Sequence, residues 1–122
     1  MSTQRYEIEA WLGDDHGLDA AGITDLTHAA DDIAARYPEE DDADKREAAL
    51  TVAYRLMAGD EGVVDELAAE LAAARLVQVK ALAGLRQAAL DLIPEGRATE
   101  FGFARHAGVD RMAVRGWLGK RG

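Results

Sequence analysis

The stretch from Glu61 to Ile93 constrains the fold of this chain more than any other, because it contains no proline. Only Gly62 and Gly84 interrupt a run of residues that favour a helix. A chain with this pattern has few alternatives to a long helix. The sequence therefore predicts one helix over residues 61–93.

Apolar residues repeat along this predicted helix with the seven-residue period of paired helices. Counted from Val64, one core position holds Val64, Leu71, Gln78, Leu85 and Leu92, and the position three residues later holds Leu67, Ala74, Ala81 and Ala88. A single buried amide such as that of Gln78 can fix the register of paired helices. Two interpretations stay open: the seam pairs with a second copy of the chain, or it is buried within its own subunit, with a break near Gly84.

Two shorter helices are predicted before the long one. Asp19 can cap a helix over residues 19–37, where apolar residues recur every three or four positions until Pro38 ends it. The acidic run 39–44 is interpreted as a solvated linker. Its later carboxylates interact favourably with the positive N-terminus of the next helix. That helix is predicted over residues 43–58.

Residues 5–12 alternate between two faces, which predicts a short N-terminal β-strand. Tyr6, Ile8, Ala10 and Leu12 share one face, and Arg5, Glu7 and Glu9 share the other, with Trp11 breaking the pattern. No second strand follows, so pairing with the same strand of another copy would satisfy its backbone. The alternative is a helical or merely extended arm. A homodimer is therefore expected, held by this strand or by the long helix.

Several classes of protein are disfavoured by composition. The chain has no cysteine, and no stretch approaches the ~18 apolar residues of a membrane span. The N-terminus does not resemble a signal peptide, so a soluble cytoplasmic protein is expected. The only serine is Ser2, and His16, His28 and His106 lie far apart. We therefore expect no enzyme activity, no cofactor or metal, and no small-molecule ligand.

Charge is distributed very unevenly along the chain, whose net charge is −9. Residues 97–122 carry six basic and two acidic residues, a charge of +4, whereas residues 1–96 carry eight basic and 21 acidic residues, a charge of −13. The basic residues of the C-terminal part are Arg97, Arg105, Arg111, Arg115, Lys120 and Arg121. This asymmetry favours a C-terminal face directed toward a phosphate backbone. The alternative is that the acidic part meets a basic partner or folds onto the tail.

The last part of the chain reads as two short helices joined by a tight turn. Thr99 can cap the first helix, and Gly108 supplies the left-handed residue that ends it. Val109 fills the corner, and Asp110 can cap the second helix. Val114 and its apolar neighbours leave a basic outer side.

The run Ala104, Gly108, Val109, Val114 and Trp117, at these offsets, resembles the helix-turn-helix of DNA-binding regulators. The resemblance covers only the C-terminal part of the chain. It implies that the end of the long helix, residues 82–92, supports the two short helices, with Leu85, Ala89 and Ile93 packed against their apolar side chains. It also implies that the second short helix, residues 110–119, enters the major groove of double-stranded DNA.

The outer side of that second helix carries the residues expected to contact DNA. Arg111 and Arg115 lie four residues apart, and the guanidinium of either can donate two hydrogen bonds to guanine. Met112 can contact the methyl group of thymine. Arg105, Lys120 and Arg121 are expected at phosphates, which position the protein without reading sequence. Two residues depart from the family. Glu100 stands where such motifs often carry a glutamine that contacts phosphate, and Gly102 loosens the first helix.

Together these patterns predict a mainly α protein: a helical bundle with one long helix, a C-terminal helix-turn-helix and a possible short N-terminal strand. Residues 1–80 are expected to form an acidic dimerisation region, and residues 81–122 a DNA-binding region continuous with the long helix. The predicted function is that of a dimeric, sequence-specific transcriptional regulator. The alternative is an acidic helical module that binds a protein partner or mimics DNA.

Overall fold

The computed structural model describes residues 2–120, which are mainly α-helical and contain no strand. Its elements are α1 (Arg5–Leu12), α2 (Ala20–Arg36), a 3-10 turn (Glu40–Asp42), α3 (Ala43–Met57), α4 (Val63–Leu92), α5 (Glu100–Ala107) and α6 (Arg111–Trp117). The chain divides into two compact units, Met1–Leu67 and Ala68–Gly122. The mainly α class expected from the sequence is confirmed, and the functional division at residue 80 stays a prediction.

The predicted N-terminal strand is wrong, because residues 5–12 form the helix α1. Ile8, Trp11 and Leu12 lie three and four positions apart, so a helix places all three on one face, where they join the core of the first unit. Tyr6, which the alternating pattern assigned to the buried face, is 69% exposed. Strand pairing between two copies therefore has no basis in this structure.

Hydrogen bonds attach α1 and the residues before it to α2. The Thr3 amide donates to the Asp31 carboxylate (2.6 Å), and this hydrogen bond holds the pKa of Asp31 below its ordinary value. The Arg5 guanidinium donates to the Thr24 hydroxyl (2.8 Å). Tertiary contacts of this kind stabilise an eight-residue helix that would be marginal alone.

The first unit packs α1, α2 and α3 around Ile8, Ile23 and Leu26. The rings of Trp11 and Tyr54 are nearly perpendicular, with their centroids 6.2 Å apart, a favourable aromatic geometry. The Tyr54 hydroxyl is satisfied by the backbone carbonyl of His16 (2.7 Å). These contacts join α1, the loop after it, and α3.

The bounds of α2 and α3 and the cap of α2 agree closely with the sequence-based expectation. Asp19 accepts from the Gly22 amide (2.8 Å) at the start of α2, which ends at Arg36 ahead of Pro38. At the end of α3, Arg55 forms an ion pair with Asp60 (2.6 Å) and another with Glu66. Arg55 thus connects α3, the following turn and the first turn of α4.

The long helix α4 is continuous through Gly84, without the break that one interpretation placed there. Val63 at its beginning and Ala89 near its end are fully buried. Every residue from 64 to 84 is exposed. None of the described helices combines the length and apolar character that crossing a membrane requires.

Candidate nucleic-acid interface

The turn between α5 and α6 is built from residues whose local geometry was expected from the sequence. Thr99 caps α5 by accepting from the Gly102 amide (3.0 Å). Gly108 adopts φ 72° and ψ 30°, the predicted left-handed conformation, and its amide donates to the Ala104 carbonyl. The Val109 amide donates to the same carbonyl (3.0 Å). Asp110 then caps α6 by accepting from the Met112 amide (2.7 Å).

A small apolar core joins the end of α4 to both short helices. Ala89 of α4, Ala104 of α5 and Val114 of α6 are its buried centre. The side chains packed around them are Ile93, Phe103, Val109, Trp117 and Leu118. Leu85, which the resemblance also implied for this core, is not among them. Alanine at two of the three central positions lets the helices approach closely, and this core holds α6 in a defined orientation.

Glu100 connects the beginning of α5 to the end of α6 through two ion pairs. Its Oε1 accepts from Arg115 Nη1 (2.8 Å), and its Oε2 accepts from Lys120 Nζ (2.5 Å). The side chain is only 15% exposed. The hydrogen bond from Lys120, with a smaller contribution from Arg115, lowers the pKa of Glu100 despite partial burial. We call this set, Glu100 with Arg115 and Lys120, the Glu100 clasp.

The clasp separates Arg115 from the other arginine predicted to read bases. The Arg115 side chain is 25% exposed, and its Nε atom is buried without a hydrogen-bond partner among residues 2–120. Arg111, at the first position of α6, is exposed and has no ion pair in the described part of the chain. The structure therefore does not present Arg111 and Arg115 as one outward pair.

The remaining predicted contact residues lie in different surroundings. Arg105 and Met112 are exposed, and Met112 retains 54% of its surface. Lys120 belongs to the clasp, and Arg121 lies outside the described residues. Phe101, which was not among the predicted contact residues, is a large exposed side chain in the first turn of α5. Its position two residues before Phe103, and hence off the packed face of α5, is the signal that would have found it.

Residues 2–120 contain no group of three or more histidine or acidic side chains arranged to hold a metal ion. The C-terminal unit offers exposed cationic and apolar side chains at the start of α6, and a carboxylate of α5 that holds two further cations. No family model matches the chain, and no curated protein or solved structure matches it either.

Proposed function

We propose that this chain is a cytoplasmic, dimeric regulator of transcription that binds specific DNA sequences through a helix-turn-helix formed by α5 and α6. The observation that carries the proposal is the turn. Two capped short helices meet at left-handed Gly108 and share a core with the end of α4. The second of them begins with an exposed arginine and methionine. This is the arrangement that a recognition helix requires.

The N-terminal turn of α6 is the part that would read bases. In helix-turn-helix proteins the first residues of the recognition helix contact base edges in the major groove. Arg111 is free of intramolecular ion pairs among the described residues, so its guanidinium can donate to the O6 and N7 acceptors of guanine. Met112 can contact the methyl group of thymine.

The other cationic residues are proposed to act on the phosphate backbone. Arg105, Lys120 and Arg121 would neutralise phosphates and release counterions. Lys120 would first have to leave Glu100, and so would Arg115. While it remains in the clasp, its role is to hold α6 against α5, and base readout by Arg115 requires that the ion pair open.

Charge along the chain supports the same orientation. The +4 charge of residues 97–122 attracts a phosphate backbone, whereas the −13 charge of residues 1–96 is repelled by it. A symmetric dimer would present two copies of α6 to half-sites separated by about one helical turn of DNA, or a multiple of it.

The experiment is selection of bound sites from a random DNA library by the full chain, followed by binding measurements at several salt concentrations. Arg111→Ala is expected to cost about 1–3 kcal/mol at one base position of the selected site and less on random DNA. Arg97→Ala is the matched control. It removes the same charge from the same basic part of the chain, at an exposed residue outside α5 and α6.

Two results would contradict the proposal. If no selected sequence emerges and binding shows no dependence on salt, the chain is not a DNA-binding protein, and the acidic interaction module becomes the better hypothesis. If Arg111→Ala and Arg97→Ala weaken binding equally on selected and random DNA, Arg111 contacts phosphate and α6 does not read bases through it.

A further inference from the structure

The middle of α4 carries apolar side chains that no described part of the chain buries. Residues 64–84 span three heptads, and all are exposed. Large apolar side chains occur throughout, including Leu71, Val77 and Leu82. Soluble proteins rarely leave contiguous apolar surface of this kind uncovered, and helices gain most of their stability by packing an apolar face. This stretch therefore needs a covering partner.

One face of the stretch has the composition of a paired-helix seam. We define the α4 seam as Leu67, Leu71, Ala74, Gln78 and Ala81, which repeat at alternating spacings of four and three residues. Alanine at two of these positions permits a close approach of a second helix, and leucine at two others supplies apolar area. Two charged residues beside the seam indicate which partner packs against it.

Glu70 and Arg75 flank the seam, and neither has an ion-pair partner among residues 2–120. Their own helix cannot supply one, because no cation lies three or four positions from Glu70 and no carboxylate lies at those distances from Arg75. In the heptad, Glu70 occupies the position just before a core residue and Arg75 the position just after one. These are the positions that form ion pairs between paired helices.

We propose that a second copy of the chain covers the α4 seam, with its α4 running parallel and in register. In that arrangement each heptad's last position faces the fifth position of the next heptad in the partner. Glu70 of one copy then faces Arg75 of the other, and the two-fold axis repeats the pair. Each copy thus contributes one Glu70 and one Arg75, and the same surface is complementary to itself, as expected of an isologous interface.

Gln78 distinguishes the parallel arrangement from an antiparallel one. Parallel helices in register place Gln78 opposite Gln78, so each amide can donate to and accept from the other. Antiparallel helices place this heptad position opposite the other core position, which α4 fills with leucine or alanine only. The amide would then be buried against apolar groups without a hydrogen bond, which is unfavourable.

The pairing deepens the dimer proposed above, because parallel α4 helices bring both copies of α6 to the same end of the assembly. It does not depend on DNA, and all its tests are made without DNA. A protein that dimerises through the seam but binds no DNA would refute the proposed function alone. A protein that binds DNA but fails the tests below would refute this pairing alone.

The first test is disulfide crosslinking of single-cysteine variants of the full chain, which has no cysteine of its own. Leu71→Cys lies on the seam, and Leu76→Cys is its matched control, since the two leucines are 51% and 55% exposed. The control side chain points about 140° away around the helix. Under mild oxidation, Leu71→Cys is expected to form a disulfide-linked dimer and Leu76→Cys to remain uncrosslinked.

Parallel helices in register bring the two copies of position 71 together, whereas an antiparallel pair separates them. Failure of Leu71→Cys to crosslink would therefore overturn the parallel arrangement. Equal crosslinking of both variants would show that the seam is not the contact surface. Sedimentation of the wild-type chain gives a further check. A monomer at tens of micromolar would overturn the pairing altogether.

The second test exchanges the two charges. Glu70→Arg and Arg75→Glu each convert two attractive pairs into two repulsive ones, so the dimer Kd is expected to rise about tenfold for either variant. The double variant restores opposite charges across the interface, and its Kd should return close to that of the wild type. A double variant as weak as either single variant would show that Glu70 and Arg75 do not face each other.

Discussion

Replacing Gly108 with alanine tests the turn on which the proposed DNA-binding unit depends. Gly108 has φ 72° and ψ 30°, and a Cβ atom built on it would meet no other atom within 4 Å. The substitution therefore introduces no steric clash with neighbouring residues. Its cost is confined to the backbone, because a residue with a Cβ adopts the left-handed conformation at an expense of roughly 1–2 kcal/mol.

Gly116→Ala is the matched control, and it is expected to have the opposite sign. Gly116 lies within α6 at an ordinary helical φ, and a Cβ there also meets nothing within 4 Å. Alanine in a helix interior is more stable than glycine by roughly 0.5–1 kcal/mol. Both variants replace a glycine by alanine in the same unit, and they differ in the backbone conformation of the replaced residue. Opposite signs of the change in stability would therefore be due to that conformation.

The assay is urea unfolding of the full-length variants, followed by the fluorescence of Trp117 in a background where Trp11 is replaced by phenylalanine. Gly108→Ala should lower the unfolding midpoint, Gly116→Ala should raise it, and Gly108→Asn should fall between Gly108→Ala and the wild type, because asparagine tolerates the left-handed region better. An unchanged midpoint for Gly108→Ala, or a loss in both alanine variants, would refute the assignment of the turn.

Further predictions concern the Glu100 clasp and α1. The pKa of Glu100 is lowered from its ordinary value of 4.5 in the folded state, so its ion pairs stabilise the protein fully at pH values above 4.5. This stabilisation is lost as the pH falls below 4.5 and through the lowered pKa. Glu100→Gln should therefore flatten the acid limb of stability measured against pH, whereas Glu95→Gln, at an exposed residue outside the clasp, should leave it unchanged. If DNA binding is observed, Glu100→Gln should also strengthen it and steepen its salt dependence, since two cations are released to phosphates; unchanged affinity would show that the clasp does not compete with DNA. Ile8→Ala should destabilise the first unit by about 2–5 kcal/mol, as expected for a buried aliphatic side chain, and Tyr6→Ala should have little effect; equal losses would favour the alternating strand pattern over the helix.

The elements that could be predicted from the sequence are those whose signals are local. Asp19, Thr99 and Asp110 accept hydrogen bonds from amides two or three residues along the chain, so their capping roles depend on nothing distant. The left-handed turn at Gly108 follows from the lack of a Cβ in the same way. The length of α4 follows from a long run of residues that favour a helix, without proline.

The error at α1 shows where local patterns stop being decisive. Eight residues with apolar side chains at positions 6, 8, 10, 11 and 12 fit both a two-residue and a 3.6-residue period. The choice between them was made by burial against α2 and α3, whose shared core accepts Ile8, Trp11 and Leu12 and leaves Tyr6 outside. That information lies in a different segment of the chain.

The sequence by itself determined the helices α2 to α6, the caps of α2, α5 and α6, the turn at Gly108 and the basic charge of the C-terminal part. Only the tertiary structure decided that Glu100 takes Arg115 and Lys120 out of the outward-facing set, leaving Arg111 and Met112 at the start of α6. Helical spacing places Arg111 and Arg115 on one face, but it carries no information about a carboxylate 15 residues away. The packing of α5 on α6 brings that carboxylate within hydrogen-bond distance, and opposite charges held there pair in preference to remaining solvated separately.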